Sequence, residues 1–110
     1  MSQAKASAIF AERLKQARAL RGLSQRALGD LLGLGKQVGS TRINRYEREV
    51  SQADMQTAAD IARALDVPLA YLFADTDDLA EVILAFARMT LKDRSRVLAL
   101  INERKPGSIK

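Results

Sequence analysis

The stretch that decides the fold is Ser24-Gln25-Arg26-Ala27-Leu28-Gly29-Asp30-Leu31-Leu32-Gly33, continued after a glycine-rich insert by Ser40-Thr41-Arg42-Ile43-Asn44-Arg45-Tyr46-Glu47. It reads as two short helices with a bend between them. Ser24 is suited to cap the first, because its hydroxyl can accept an orphan backbone N–H of the opening turn. Ala27, Leu28, Leu31 and Leu32 then share one face. Gly33 ends the helix in the left-handed conformation that glycine adopts without steric cost. The second helix carries only Ile43 and Tyr46 as large apolar residues, so it buries a narrow stripe. Its other side chains are Ser40, Thr41, Arg42, Asn44 and Arg45, which offer hydrogen bonds and positive charge. That surface is either an ordinary solvated helix face or one made to touch a polar, anionic partner.

Working outward, Phe10, Leu14 and Ala17 at i, i+4 and i+7 predict a helix from Ser7 to Arg21, stopped by Gly22. Residues 1–6 read as a flexible tail. Between the two central helices, Gly33-Leu34-Gly35-Lys36-Gln37-Val38-Gly39 reads as an exposed loop. Downstream, Asp54 is placed to cap a helix reaching Leu65, with Met55, Ala58, Ile61, Ala62 and Leu65 as its buried stripe. Pro68 suits the first position of a fifth, very short helix, and Leu69, Leu72 and Phe73 would close the core. No stretch alternates in the manner of a strand, so the expected fold is all-α.

Residues 74–78 read as an acidic hinge, after which Thr76 and Thr90 are placed to cap two amphipathic helices, Thr90 through an approximate capping box with Asp93. Leu79, Val82, Ile83 and Phe86 form one stripe, and Leu91, Val97, Leu98 and Ile101 the other; Leu84 and Leu100 lie off them. The expected organisation is a domain over residues 7–75, a helical hairpin over 76–104 and a flexible tail over 105–110. Such a hairpin holds too little core to stand alone. It packs on the domain as a cap, or on a second copy through Leu79, Val82, Ile83, Leu84, Phe86, Val97, Leu98, Leu100 and Ile101.

The chain has 110 residues, 47% of them apolar, and neither cysteine nor histidine. These absences remove disulfides, zinc fingers and Ser-His or Cys-His catalysis, and no metal or cofactor is expected. No run approaches the ~18 apolar residues of a membrane helix. Glu12, Arg13 and Lys15 interrupt the only apolar start a signal peptide could use, so no membrane partner and a cytoplasmic location are expected. Charge is unevenly spread. Residues 1–50 carry ten Lys/Arg against four Asp/Glu, residues 51–90 two against seven, and residues 91–110 six against two. Positive charge therefore gathers around the central stretch, as on a surface that faces phosphates; the alternative is ordinary solvated charge.

Taken in order, Leu14, Arg18, Gly22-Leu23-Ser24-Gln25, Leu28, Leu31, Gly33, Ile43, Arg45-Tyr46-Glu47, Ile61-Ala62, Leu65 and Leu69-Ala70-Tyr71-Leu72-Phe73 resemble the phage-repressor/Cro-type helix-turn-helix regulators, also called the XRE family. The resemblance implies a five-helix domain whose third helix enters the major groove of double-stranded DNA. It implies base contacts from Ser40, Thr41, Asn44 and Arg45, of which Arg45 suits the O6 and N7 of a guanine. Ser24 and Gln25 would approach the DNA backbone, with Arg26, Lys36 and Arg42 as further phosphate contacts. Arg18 and Glu47 match a structural ion pair between the first and third helices. The chain departs from the family in spacing, with ten steps from Gly33 to Ile43 where six are usual. The extra residues fit best as Leu34 to Gln37, leaving Val38 in the apolar turn position. Glu49 replaces a glycine that often ends the third helix, so that helix is free to run on.

The function these features favour is a sequence-specific DNA-binding transcription regulator, a repressor that reads a palindromic operator as a homodimer. The alternative is an antitoxin-like interaction module, whose residues 76–104 hold a partner protein while the chain also binds DNA. An enzyme lacks support: no carboxylate pair has an acid/base setting and no phosphate-binding Gly-Lys motif is present. RNA binding lacks an aromatic platform.

Overall fold

The computed structural model describes residues 5–104, and over that range helices are the only regular secondary structure. Six α-helices run in order: α1 Ala6–Arg21, α2 Gln25–Leu31, α3 Lys36–Glu47, α4 Met55–Leu65, α5 Asp77–Ala87 and α6 Leu91–Glu103, with a 3-10 helix at Leu69–Phe73 between α4 and α5. Residues 1–4 and 105–110, where tails were expected, lie outside the described range. Ala6 belongs to α1, so the expected N-terminal tail is at least that much shorter.

Local chemistry sets the helix starts. The Ser24 hydroxyl accepts from the Ala27 N–H at 2.9 Å, and Thr90 from Asp93 at 3.1 Å. The Asp54 carboxylate accepts the Thr57 N–H at 2.7 Å, which holds its pKa below the ordinary aspartate value. Thr76 caps α5 and also donates to Asp78, whose pKa is lowered chiefly by that bond. The first four α-helices end alike. At each, the cap residue or the one after it takes a left-handed backbone and two N–H groups reach back to the last turn. At α1 the turn residue is Gly22 and at α2 it is Gly33; at α3 it is Glu49, with φ +61°, and at α4 Asp66, with φ +56°. Glu49 thus does the glycine's work itself, and α3 stops at Glu47 instead of running on.

The core gathers Phe10, Leu14 and Ala17 of α1, Leu28 of α2, Ile43 and Tyr46 of α3, and Ala58, Ile61, Ala62 and Leu65 of α4, closed by Val67, Tyr71 and Leu72. Phe10 stacks edge-on to Tyr46 and tilted against Phe73. Several expected stripe residues lie outside it. Leu31 points to solvent, as does Met55, which is 87% exposed at the first position of α4. Pro68 is the cap of the 3-10 helix, not its first residue, and Tyr71 is buried where Leu69 and Phe73 were expected. The two buried members, Tyr71 and Leu72, are adjacent, while Leu69, three residues before Leu72, is exposed, so no single helical spacing picks them out.

The C-terminal helices divide their roles. In α5, Ala80 is buried in the core, and Ile83 and Leu84 pack against it, so Leu84 is covered although it lies off the apolar stripe. Helix α6 buries no residue. The two helices face one another across an apolar groove of about 460 Å³ lined by Pro68, Val82, Ile83, Phe86, Ala87, Arg94 and Ile101. The molecule measures 51 × 37 × 21 Å.

Candidate nucleic-acid interface

The interface is built from α3 outward. The expected loop from Gly33 to Gly39 exists only as Gly33-Leu34-Gly35, and α3 begins at Lys36, one turn before Ser40. Leu34, half-buried, donates its N–H to the Gly29 carbonyl and occupies the apolar turn position expected of Val38. Val38 is instead 58% exposed on α3. The four extra residues therefore lengthen the helix and not the turn. Four residues rotate a helix by little more than a full circle, so Ile43, Tyr46 and Glu47 still face inward.

Two contacts hold α3 in place. Gly39 of α3 lies against Gly29 of α2 so closely that a Cβ on either would collide with the other's backbone. At the far end, Arg18 grips Glu47 with two bonds, Nε to Oε2 at 2.6 Å and Nη2 to Oε1 at 2.8 Å, and donates Nη1 to the Leu23 carbonyl. The expected ion pair is thus formed, with the Glu47 side chain 5% exposed. The hydrogen bonds to Glu47 raise the Arg18 pKa against the opposing effect of burial. Gln25, expected near phosphate, donates its amide to Glu47 Oε1 at 3.0 Å and serves this same anchor.

With the inner face so fixed, the outer face carries Gln37, Val38, Thr41, Arg42, Arg45 and Arg48, all exposed. Most of them line a shallow concavity of about 470 Å³, walled on one side by Ser51 and Gln52. Of the expected base-contacting residues, Thr41 and Arg45 lie here, while Ser40 and Asn44 are half-buried and do not line it. The Thr41 hydroxyl donates to the Gln37 carbonyl at 3.1 Å. Arg26 and Lys36, expected at phosphates, are exposed, as is Ser24, whose hydroxyl is taken by its capping bond. Gln37, Val38 and Arg48 were missed by sequence reasoning; the signal for the first two was that a four-residue insert is also one helical turn.

The clusters bearing other chemistries are spare. Among the described residues no group of His, Cys, Asp or Glu could hold a metal ion, and no helix is long and apolar enough to cross a membrane. Arg13, buried in α1, donates to the Ala74 carbonyl at 2.8 Å and to Asp77 at 2.9 Å, and so ties α1 to the start of α5. Arg94 of α6 donates to the Phe86 and Ala87 carbonyls and lies over the Phe86 ring, fixing the elbow between α5 and α6.

This arrangement is matched elsewhere. The helix-turn-helix family model HTH_3 matches residues 14–72. The crystal structure of the transcriptional regulator BswR is similar to this chain with a TM-score of 0.81 and 39% identity, covering 84% of this chain and 92% of that one. Coverage of that extent reaches past Leu72 into the C-terminal helices. No curated protein matches the chain.

Proposed function

The chain belongs to the XRE-type helix-turn-helix family and is a DNA-binding transcription regulator; from that premise we propose that it reads a palindromic operator as a homodimer and represses from it. The observation that carries this reading is the division of α3 into a face locked by Ile43, Tyr46 and Glu47 and an opposite face given over to Thr41, Arg42, Arg45 and Arg48. The major groove admits an α-helix and presents a distinct donor and acceptor pattern for each base pair. In this reading Arg45 donates two guanidinium N–H groups to the O6 and N7 of a guanine and Thr41 meets a neighbouring base, with Ser40 and Asn44 at the edge of the contact. Arg26, Lys36 and Arg42 meet phosphates, which set the register without reading sequence.

Dimerisation is assigned to α5 and α6, whose Leu79, Val82, Leu98, Leu100 and Ile101 are exposed. A two-fold axis then spaces the half-sites about one DNA turn, ~34 Å, apart. Repression needs nothing more than occupancy of a site that polymerase must use.

Selection from a random duplex library tests the reading. The wild-type chain enriches a palindrome, and Arg45→Ala relaxes one base step in each half-site by about 1–3 kcal/mol. Absence of any enriched motif, or no binding at low salt, overturns it.

A further inference from the structure

The added first turn of α3 brings a side chain to the DNA-facing surface that neither the arginines nor the turn require. Val38 lies three residues before Thr41 and seven before Arg45, on one face of α3 and in one concavity. It is 58% exposed and belongs to no part of the hydrophobic core. A β-branched residue is also a poor choice for an exposed helical position on propensity alone. Its neighbour Thr41 turns its hydroxyl back to the Gln37 carbonyl, which leaves the methyl as the group offered outward. Two apolar groups therefore stand side by side amid the cations Arg42 and Arg45. The turn bearing them is held firm, because Gly39 rests on Gly29 with no room for movement toward α2.

We propose that Val38, with the Thr41 methyl beside it, is a specificity-determining contact that takes the C5 methyl of a thymine in each half-site. Seven residues of helix rise by about 10 Å, so the thymine stands about three base steps from the base that Arg45 meets. In the major groove the thymine methyl is the one apolar feature of the base edges. An apolar contact there discriminates without a hydrogen bond, and water leaving both methyl surfaces drives it. The inference rests on the reading of α3 as the groove-entering helix and adds to it a base that the turn's extra residues alone can reach.

The test alters the DNA rather than the protein. In the enriched operator, each thymine is replaced singly by deoxyuridine, which lacks only the methyl, and binding is followed by fluorescence anisotropy. For the wild type, one replacement about three steps from the Arg45 base weakens binding about fourfold, the worth of one buried methyl. For Val38→Ala the same replacement changes nothing further, while Arg45→Ala still responds to it. Circular dichroism confirms that Val38→Ala keeps its helices. If every deoxyuridine replacement leaves wild-type binding unchanged, or Val38→Ala stays as sensitive as wild type, the contact does not exist and the reading of α3 stands. If the wild type binds no duplex at all, both fall.

Discussion

At the scale of single residues, the end of α3 shows a cost that the chain carries openly. Glu49 holds φ +61° so that its own N–H can reach Tyr46 and the Val50 N–H can reach Arg45. A left-handed backbone costs a residue with a Cβ about 1–2 kcal/mol, and glycine nearly nothing. Glu49→Gly is therefore expected to raise stability by about 1 kcal/mol, part of it offset by the greater freedom of glycine in the unfolded chain. Urea denaturation followed by circular dichroism reads the gain. Glu47, two residues earlier, behaves oppositely. Its carboxylate takes two bonds from Arg18 and one from Gln25 in a setting that water scarcely reaches. Glu47→Ala leaves a part-buried guanidinium without its partner and is expected to cost about 3 kcal/mol in the same measurement. A loss under about 0.5 kcal/mol, the ordinary effect of a surface change, would show that the pair is decorative.

At the scale of elements, the contact of α2 with α3 decides where the reading face stands. Gly39→Ala puts a Cβ into the backbone of Gly29. Either the helices part or the chain strains, and overpacking of this kind costs about 1–3 kcal/mol. Thermal unfolding is expected to move down, and operator affinity to fall further than stability alone explains, because the displaced helix carries Arg45 with it. An unchanged melting temperature would mean that the helices separate freely. This same contact marks the limit of what the sequence conveys. Ser24, Asp54, Thr76 and Thr90 were legible as caps because capping joins a side chain to a backbone N–H two or three residues on. The pair Arg18–Glu47 was legible through the family pattern. Gly39 was not, since a glycine in a helix interior and a glycine in a loop look alike until the opposing helix is known. Arg13 was hidden for a similar reason: its acceptors lie 61 and 64 positions along the chain. On the outer face of α3, Thr41 and Arg45 were singled out through the family pattern. Val38 was assigned to a turn because the glycines on either side of it outweighed its helical phase.

At the scale of the whole molecule, α6 stands outside the hydrophobic core. A thirteen-residue helix with no fully buried residue, and with Leu91, Leu98, Leu100 and Ile101 exposed, offers an apolar face to a partner. In the homodimer proposed above it is completed by a second copy. Replacing Leu98 and Ile101 together by glutamate is expected to convert dimer to monomer in sedimentation velocity without loss of helix content, because neither side chain supports the core. Operator binding should then weaken steeply while binding to an isolated half-site persists. A wild-type chain that sediments as a monomer at tens of micromolar would rule the dimer out, and would turn attention to a partner protein for the groove between α5 and α6.

The Arg94 elbow gives that assembly a property of its own. The guanidinium closes the last carbonyls of α5 and stacks on Phe86, so α6 leaves α5 at a set inclination. Arg13 in turn fastens the start of α5 to α1, the helix that also holds α3 through Arg18 and Glu47. In the homodimer proposed above, these side chains would make a stiff lever from the joining helices to the body that carries α3. In a two-fold pair, the length and tilt of that lever fix the separation of the readers, and the pair acts as a calliper. Its setting, not only the bases touched by each jaw, then selects among DNA sites that differ by a base pair in spacing.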